Sequence, residues 1–489
     1  MRNLLLRKIL AISVSLWIII YLLVAILGQA HLEGKLGLAF LFPVIITILV
    51  MIILRKKFQG LIKIVDRYDR LTTVIILCAA VIVPRYILNI NFSVLQESDY
   101  EKYLTISHYM FQGLEIPANE ILYIKEWASN QYIIEKIFSW SYYIWGDIGQ
   151  QAPLYMNMCF TVGYVLLFYC LCKDFLSRPV AFISAFALAV WPENVINSIY
   201  ILSEPMYMFF LFLGLAFLRY GIKCNKIVLY VLSGIALRIS QEIRSTTIVF
   251  CIAIILVYFL FYEDRRDKKI LYVIAGFVGT GGVYSIYLQR ELGEIATPAI
   301  GWPMFLGSCI DNWGSWSSAS AISAQEMVKN CSISEMQKVL LKGAIQNYRN
   351  YDFETIIYLL CRKAQTIFGF GDATVRDVKY LMEIRPEVVL FGRIPSILWA
   401  WSTLANWGYI TVAMGCIYKA MFCLVNIFER KMIDVKNLAM MLPICGIMAM
   451  HCFIYVSPRY IYPTIPFFIA IFFYSMDQMS REEIEKNVL

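Results

Sequence analysis

The chain has 489 residues, 60% of them hydrophobic and 16% charged, with a net charge of +8. A soluble domain carries about 25% charged residues, and here the apolar residues arrive in blocks of about 18 or more, long enough to span a bilayer as helices. That excludes a soluble multidomain protein. The basic excess does not indicate nucleic acid, because most of it sits in short loops between apolar blocks, where it sets membrane orientation.

In chain order, the spans are predicted near 9–28, 37–54, 71–90, 152–172, 179–198, 204–219, 227–242, 246–262, 269–288, 400–428, 437–456 and 460–478. The fold class is therefore an all-α polytopic membrane protein of about twelve transmembrane helices. The first apolar stretch lacks a small-residue cleavage site and is too long for a signal peptide, so it reads as a retained helix. Basic clusters follow every even-numbered span: Arg55, Lys56 and Lys57; Lys173 and Arg178; Arg219, Lys223 and Lys226; Arg265, Arg266, Lys268 and Lys269; Arg430, Lys431 and Lys436. Their parity predicts that both termini are cytoplasmic and that the two long segments, 91–151 and 289–399, lie outside. Those segments mix aromatic and charged residues and read as amphipathic interfacial helices.

Four regions are predicted along the chain: 1–70, two helices and a basic cytoplasmic loop; 71–290, a transmembrane core with the loop 91–151; 291–399, an external loop; and 400–489, the last helices and a short tail. GFVGTGG at 276–282 lies inside a span with no strand before it, so close helix packing is a better reading than a phosphate loop. The thirteen cysteines show no metal-ligand spacing. Cys309 and Cys331 share the second external segment, where a disulfide is open but not required.

An acid or base at the centre of a span costs about 2.5–3.5 kcal/mol on insertion scales, so charges near a membrane boundary are informative. Four places stand out. Asp99 follows the third span, flanked by Glu97, Tyr100, Glu101 and Tyr103; taken alone, a solvated helix start capped by Ser98 is the simpler account. Glu193 and Glu204 lie where span five turns into span six, and Glu204 before Pro205 also suits a helix start. Arg238, Glu242 and Arg244 interrupt two apolar runs, where an Arg–Glu pair could close a turn. Arg459 sits at the outer mouth of the last spans, where snorkelling alone is a sufficient account. External arginines nevertheless run against the orientation rule. Converging acids and arginines at one membrane face would make an acid–base site beside an anion site.

In their order and spacing, SDYEKYL, WPENVINSIYILSEP, SGIALRISQEIRS and RYIYPTIP resemble bacterial members of the GT-C superfamily of membrane glycosyltransferases. The branch that looks closest holds the protein O-mannosyltransferases and the aminoarabinose transferase of lipid A. The resemblance covers roughly 71–290 and 440–478. It implies a sugar donor on polyprenyl phosphate, an inverting transfer to a hydroxyl of a cell-surface glycan, lipid or protein, and a bacterial cytoplasmic membrane with the active site external. It further implies that Asp99 is the catalytic base and that Glu204 is a second acidic residue. With Asp99, Glu204 would be a candidate ligand of a divalent metal (Mg2+ or Mn2+). Arg244, Arg459 and Arg238 would bind the lipid phosphate, with Glu97, Glu101, Tyr100, Tyr103 and Glu193 lining the site. Several relatives carry an Asp-Glu pair where this chain has Asp99-Tyr100. The rivals are a transporter or flippase of polyprenyl-linked glycans, whose charges would gather near the midplane between related halves, and a polysaccharide polymerase or ligase.

Overall fold

A computed structural model describes residues 2–32, 57–94, 96–261, 268–295, 300–368, 382–384, 394–429 and 433–488, with a few isolated positions besides. The expected second span, 37–54, lies almost wholly outside the described residues. The helices are α1 (Arg2–Leu32), α2 (Arg70–Asn91), α3 (Asp99–Gln112), α4 (Ala118–Glu126), α5 (Gln131–Trp145), α6 (Gln151–Cys172), α7 (Arg178–Ala189), α8 (Pro192–Ile196), α9 (Glu204–Cys224), α10 (Ile227–Ile243), α11 (Thr247–Phe261) and α12 (Ile270–Leu292). They continue as α13 (Gly301–Ser308), α14 (Ser318–Val328), α15 (Ile333–Asn350), α16 (Phe353–Phe368), α17 (Ile394–Phe428), α18 (Val435–His451) and α19 (Ile465–Val488).

The protein is an almost entirely helical polytopic membrane protein. Among the described residues, six helices (within α1, α2, α6, α9, α12 and α17) are long and apolar enough to cross a bilayer. A seventh span arises if α7 and the segment Pro192–Ile199, bent by 47° at their junction, count as one. The other five expected spans fall outside that count: 37–54 lies almost wholly outside the described residues, α10, α11 and α18 are apolar helices of 17, 15 and 17 residues, and α19 is apolar only over its first part. Large apolar side chains such as Val228, Val278, Val283 and Ile286 are exposed on α10 and α12. Patches of this kind are a liability in water and ordinary against lipid.

The bend at Trp191–Pro192 follows from the sequence. Proline supplies no amide hydrogen to the preceding turn and disfavours helix at residue 191. The chain restarts as α8, passes through a 3-10 turn at Asn197–Ile199, and enters α9 at Glu204 with Pro205 in its first turn. Segment 92–150 forms α3, α4 and α5, and 300–368 forms α13 to α16, as amphipathic patterning predicts. On α16, Leu359, Ala364 and Ile367 are buried while Phe353 and Tyr358 are exposed. Lys363 on the same helix donates to the carbonyls of Cys452 (3.0 Å) and Ile454 (3.1 Å), and the Tyr348 hydroxyl also donates to Cys452 (3.4 Å), so both hold the chain just past the end of α18. The helical pattern conceals one pair of strands: β1 (Phe92–Val94) runs antiparallel to β2 (Met382–Ile384) and ties the two long segments together. Cys309 and Cys331 both carry free thiols and pack around one apolar cluster with Phe305 and Leu306.

Of the glycines in GFVGTGG, Gly276 lets α12 approach the backbone of α10, because a Cβ there would collide with the carbonyl of Val231. Gly234 on α10 answers it, a Cβ colliding with the carbonyl of Val273. Gly279 has open space beside it. Gly234→Ala is therefore expected to destabilise the bundle by about 1–3 kcal/mol through overpacking, and Gly279→Ala to leave it unchanged; thermal unfolding of the two purified variants in detergent checks the contrast.

Candidate functional site

Asp99 is the first residue of α3, five residues past the end of β1. Ser98, just before it, has φ 57° and its hydroxyl makes no capping bond. The helix-start reading therefore accounts for the position of the acid and not for a cap. A left-handed backbone at a residue with a Cβ is strained, and the surrounding structure must hold it. The carboxylate of Asp99 is held on one side: Oδ1 accepts from Gln131 Nε2 (3.0 Å) and the Tyr123 hydroxyl (3.4 Å). Burial, and then the nearby Asp99 charge, push the Tyr123 hydroxyl well above its ordinary pKa, so it remains a donor. On the other side Oδ2 lies 3.8 Å from a guanidinium nitrogen of Arg459. The Asp99 side chain is 32% exposed, so it is reachable.

Arg459 comes from the 3-10 segment Pro458–Thr464 that leads into α19. It donates to the Tyr100 hydroxyl and lies over the Tyr100 ring, 5.4 Å from its centre. Arg244 occupies the break between α10 and α11, with its Nε on the Ser203 hydroxyl (3.2 Å) and a terminal nitrogen on Glu204 Oε1 (2.5 Å). The two guanidinium groups share one tyrosine, each 5.8 Å from the centre of the Tyr460 ring. Tyr103 is buried within reach of all four charges; burial, then Asp99, raise its hydroxyl well above the usual range. Residues more than 350 positions apart (Tyr100 and Arg459) thus meet in one cluster.

The cluster holds Asp99, Tyr100, Tyr103, Glu204, Arg244 and Arg459 from the predicted set. Others stand apart among the described residues. Glu97 and Glu101 are exposed. Arg238 pairs with Glu242 one turn along α10 and packs over Phe277 on α12, so the ion pair expected to close the turn lies within the helix and does not involve Arg244. Glu193 is buried on α8 at the bend. Gln131, Tyr123, Ser203 and Tyr460 escaped sequence reading. Neutral polar residues carry no hydropathy penalty large enough to stand out, and only their partners identify them.

A divalent metal does not fit this arrangement. Among the described residues no three His, Cys, Asp or Glu side chains come together. Glu204 is taken up by Arg244, and two guanidinium groups beside the acids already supply the positive charge. The cluster can take a proton at the reachable carboxylate and hold an anion near the arginines, which bind phosphate oxygens well.

No family model matches the chain, and no curated protein does. Solved structures do resemble it. ArnT from Cupriavidus metallidurans, crystallised bound to undecaprenyl phosphate, is 11% identical over 84% of this chain and 78% of that one, with a TM-score of 0.39. The archaeal oligosaccharyltransferase AglB from Archaeoglobus fulgidus, in complex with an inhibitory peptide and a dolichol-phosphate, is 12% identical over 87% of this chain and 52% of its own, with a TM-score of 0.44. The Archaeoglobus fulgidus oligosaccharyltransferase in its apo form gives 12%, 83%, 50% and 0.44 in the same terms. This chain spans about half the length of the two archaeal ones. The likeness assigns no role to any residue here.

Proposed function

We propose that the protein is a glycosyltransferase that moves a sugar from a polyprenyl-phosphate donor to an acceptor hydroxyl. The single observation that carries the reading is the meeting of a reachable, one-sidedly held carboxylate (Asp99) with two arginines drawn from separate parts of the chain. In the proposed reaction Asp99 Oδ2 takes the acceptor hydroxyl proton as the oxygen attacks the anomeric carbon. The bond from that carbon to the phosphate oxygen breaks on the opposite face, which inverts the centre. The electron pair leaves with polyprenyl phosphate, whose added charge Arg459 and Arg244 stabilise; fixed positive charge placed where negative charge develops is commonly the largest catalytic contribution. Glu204 orients Arg244 and touches no reacting atom in this scheme. Parity of the basic loops supports an external site; in this reading the membrane is a bacterial cytoplasmic membrane, the acceptor a cell-surface glycan, lipid or protein, and the group transferred a hexose or pentose.

Binding tests the reading before any acceptor is known. Purified protein in nanodiscs is expected to bind polyprenyl phosphate. Arg459→Ala is expected to weaken that binding by about 10- to 100-fold, with Arg459→Lys in between because it keeps the charge and loses the planar fork. Transfer should follow when donors are supplied with cell-envelope acceptors. Equal affinity in wild type and Arg459→Ala overturns the proposal, as does translocation of the donor with no transfer.

A further inference from the structure

The second external segment grips the stretch of chain that delivers Arg459. Past the end of α18, residues 452–457 lead without helix to the 3-10 segment Pro458–Thr464, and their backbone is held from 300–368. Tyr455 donates its amide to the carbonyl of Pro303 (2.8 Å) and Val456 donates to that of Gly314 (2.9 Å), beside a short parallel bridge between Ser315 and Val456. The carbonyls of Cys452 and Ile454 accept from Lys363 Nζ, whose third contact is the Tyr348 hydroxyl at 3.3 Å. Two glycines make the fit possible. A Cβ on Gly307 would lie 2.3 Å from the carbonyl carbon of Ile454, and one on Gly314, at φ 75°, would lie 2.3 Å from Lys363 Cε.

Lys363 is 1% exposed and, among the described residues, no carboxylate answers its charge. Stability alone is a poor account of such a residue, because an apolar side chain of like volume commonly serves a buried position as well or better. What the ammonium supplies is direction: its hydrogens meet three oxygens and so fix two carbonyls of the same short stretch. That stretch reaches the charged cluster through ring contacts. The ring of Tyr455 lies edge-on to Tyr460 at 5.4 Å, and His451, just before the stretch, lies 5.5 Å from the same ring. Tyr460 is the residue that Arg244 and Arg459 share. Between the gripped carbonyls and Arg459 stands Pro458, whose ring fixes φ and passes on the direction of the chain. We infer that Lys363 is a positioning residue for the lipid-phosphate site: it acts through the carbonyls of Cys452 and Ile454 to set Arg459 and Tyr460, and touches no reacting atom. The inference rests on the glycosyl-transfer reading for one point only, that the anion held there is a lipid phosphate. It makes the segment 300–368 part of the site's framework.

Two readouts on the full-length protein in nanodiscs test it: affinity for polyprenyl phosphate, and amide hydrogen exchange across 452–464. Lys363→Met keeps an unbranched stem and removes the ammonium. It is expected to weaken lipid-phosphate binding by about two- to thirtyfold, the usual range for coupling carried through packed residues. Exchange should quicken at Tyr455 and Val456 and onward to Tyr460. In an Arg459→Ala background the same substitution should change affinity by less than about twofold, because what it positions is gone. A lysine that only stabilises the fold would lower affinity equally in both backgrounds. Tyr348→Phe leaves Lys363 in place and removes one of its three partners; it should move both readouts the same way by a smaller factor, which keeps the inference falsifiable if Lys363→Met does not fold. Wild-type behaviour of Tyr348→Phe in both readouts overturns the inference, as does faster exchange confined to 452–454. Were polyprenyl phosphate bound and the losses equal in the two backgrounds, the positioning role would fall and the transferase reading stand. Were polyprenyl phosphate not bound by wild type while exchange still quickened as far as Tyr460, the transferase reading would fall and the positioning role stand.

Discussion

Asp99→Asn is expected to lower transfer by about 10²- to 10⁴-fold, the usual worth of a positioned general base, while the variant still binds polyprenyl phosphate. The substitution preserves shape. An asparagine oxygen can still accept from Gln131 and Tyr123, which hold Oδ1 of the native carboxylate at 3.0 and 3.4 Å. What it removes is the proton acceptor at Oδ2 and the negative charge 3.8 Å from Arg459. Loss of that charge leaves Arg459 more available to an anion, so lipid-phosphate affinity should hold or rise. Single-turnover transfer and equilibrium binding on the same preparation separate the two effects. Full transfer by Asp99→Asn would end the base assignment, whereas a fall in both binding and transfer would point to a positioning role.

The second large effect concerns the pair Arg244–Glu204. Glu204 is 3% exposed, its Oε1 is held by Arg244 at 2.5 Å, and Oε2 has no partner among the described residues. Arg244→Met leaves that carboxylate buried without its cation, which costs about 3–5 kcal/mol in comparable buried pairs. The double variant Arg244→Met with Glu204→Gln removes both charges and should recover most of the melting temperature. It should not recover transfer, because the guanidinium that faces the leaving phosphate is still missing. Glu204→Gln alone should retain measurable transfer, since a glutamine oxygen can still accept from Arg244. Complete loss of activity in a stably folded Glu204→Gln variant would instead give Glu204 a direct chemical part.

Several features of the site were legible because they break a local rule. Asp99, Glu204, Arg244 and Arg459 each interrupt or border an apolar run, and a charge in such a place stands out against its neighbours. Arg85 breaks the same rule more sharply, inside VIVPRYILNI, yet it is easily absorbed into a long span when only window averages are weighed. Arg238 and Arg244 show the limit of that reasoning. They are six residues apart with the same local signal, but helix geometry gives Arg238 an acidic neighbour one turn away at Glu242, whereas the end of α10 turns Arg244 toward Ser203 and Glu204.

By itself the sequence determined that the chain is a helical membrane protein and roughly where its apolar spans lie. Both depend on short-range physics: the transfer of contiguous apolar side chains out of water, and backbone hydrogen bonds that must be met within the segment; the bend at Trp191–Pro192 lies inside the span expected at 179–198. Only the tertiary structure decided which charges meet. Tyr100 joins Arg459 across 359 positions, and Gln131 joins Asp99 across 32. Such contacts follow from how helices pack, through glycine approaches such as Gly234 to Val273 and through the β1–β2 tie, and no local window of residues encodes that packing. The same packing left one guanidinium nitrogen of Arg85 buried and unbonded among the described residues, a state visible only once every neighbour is in place.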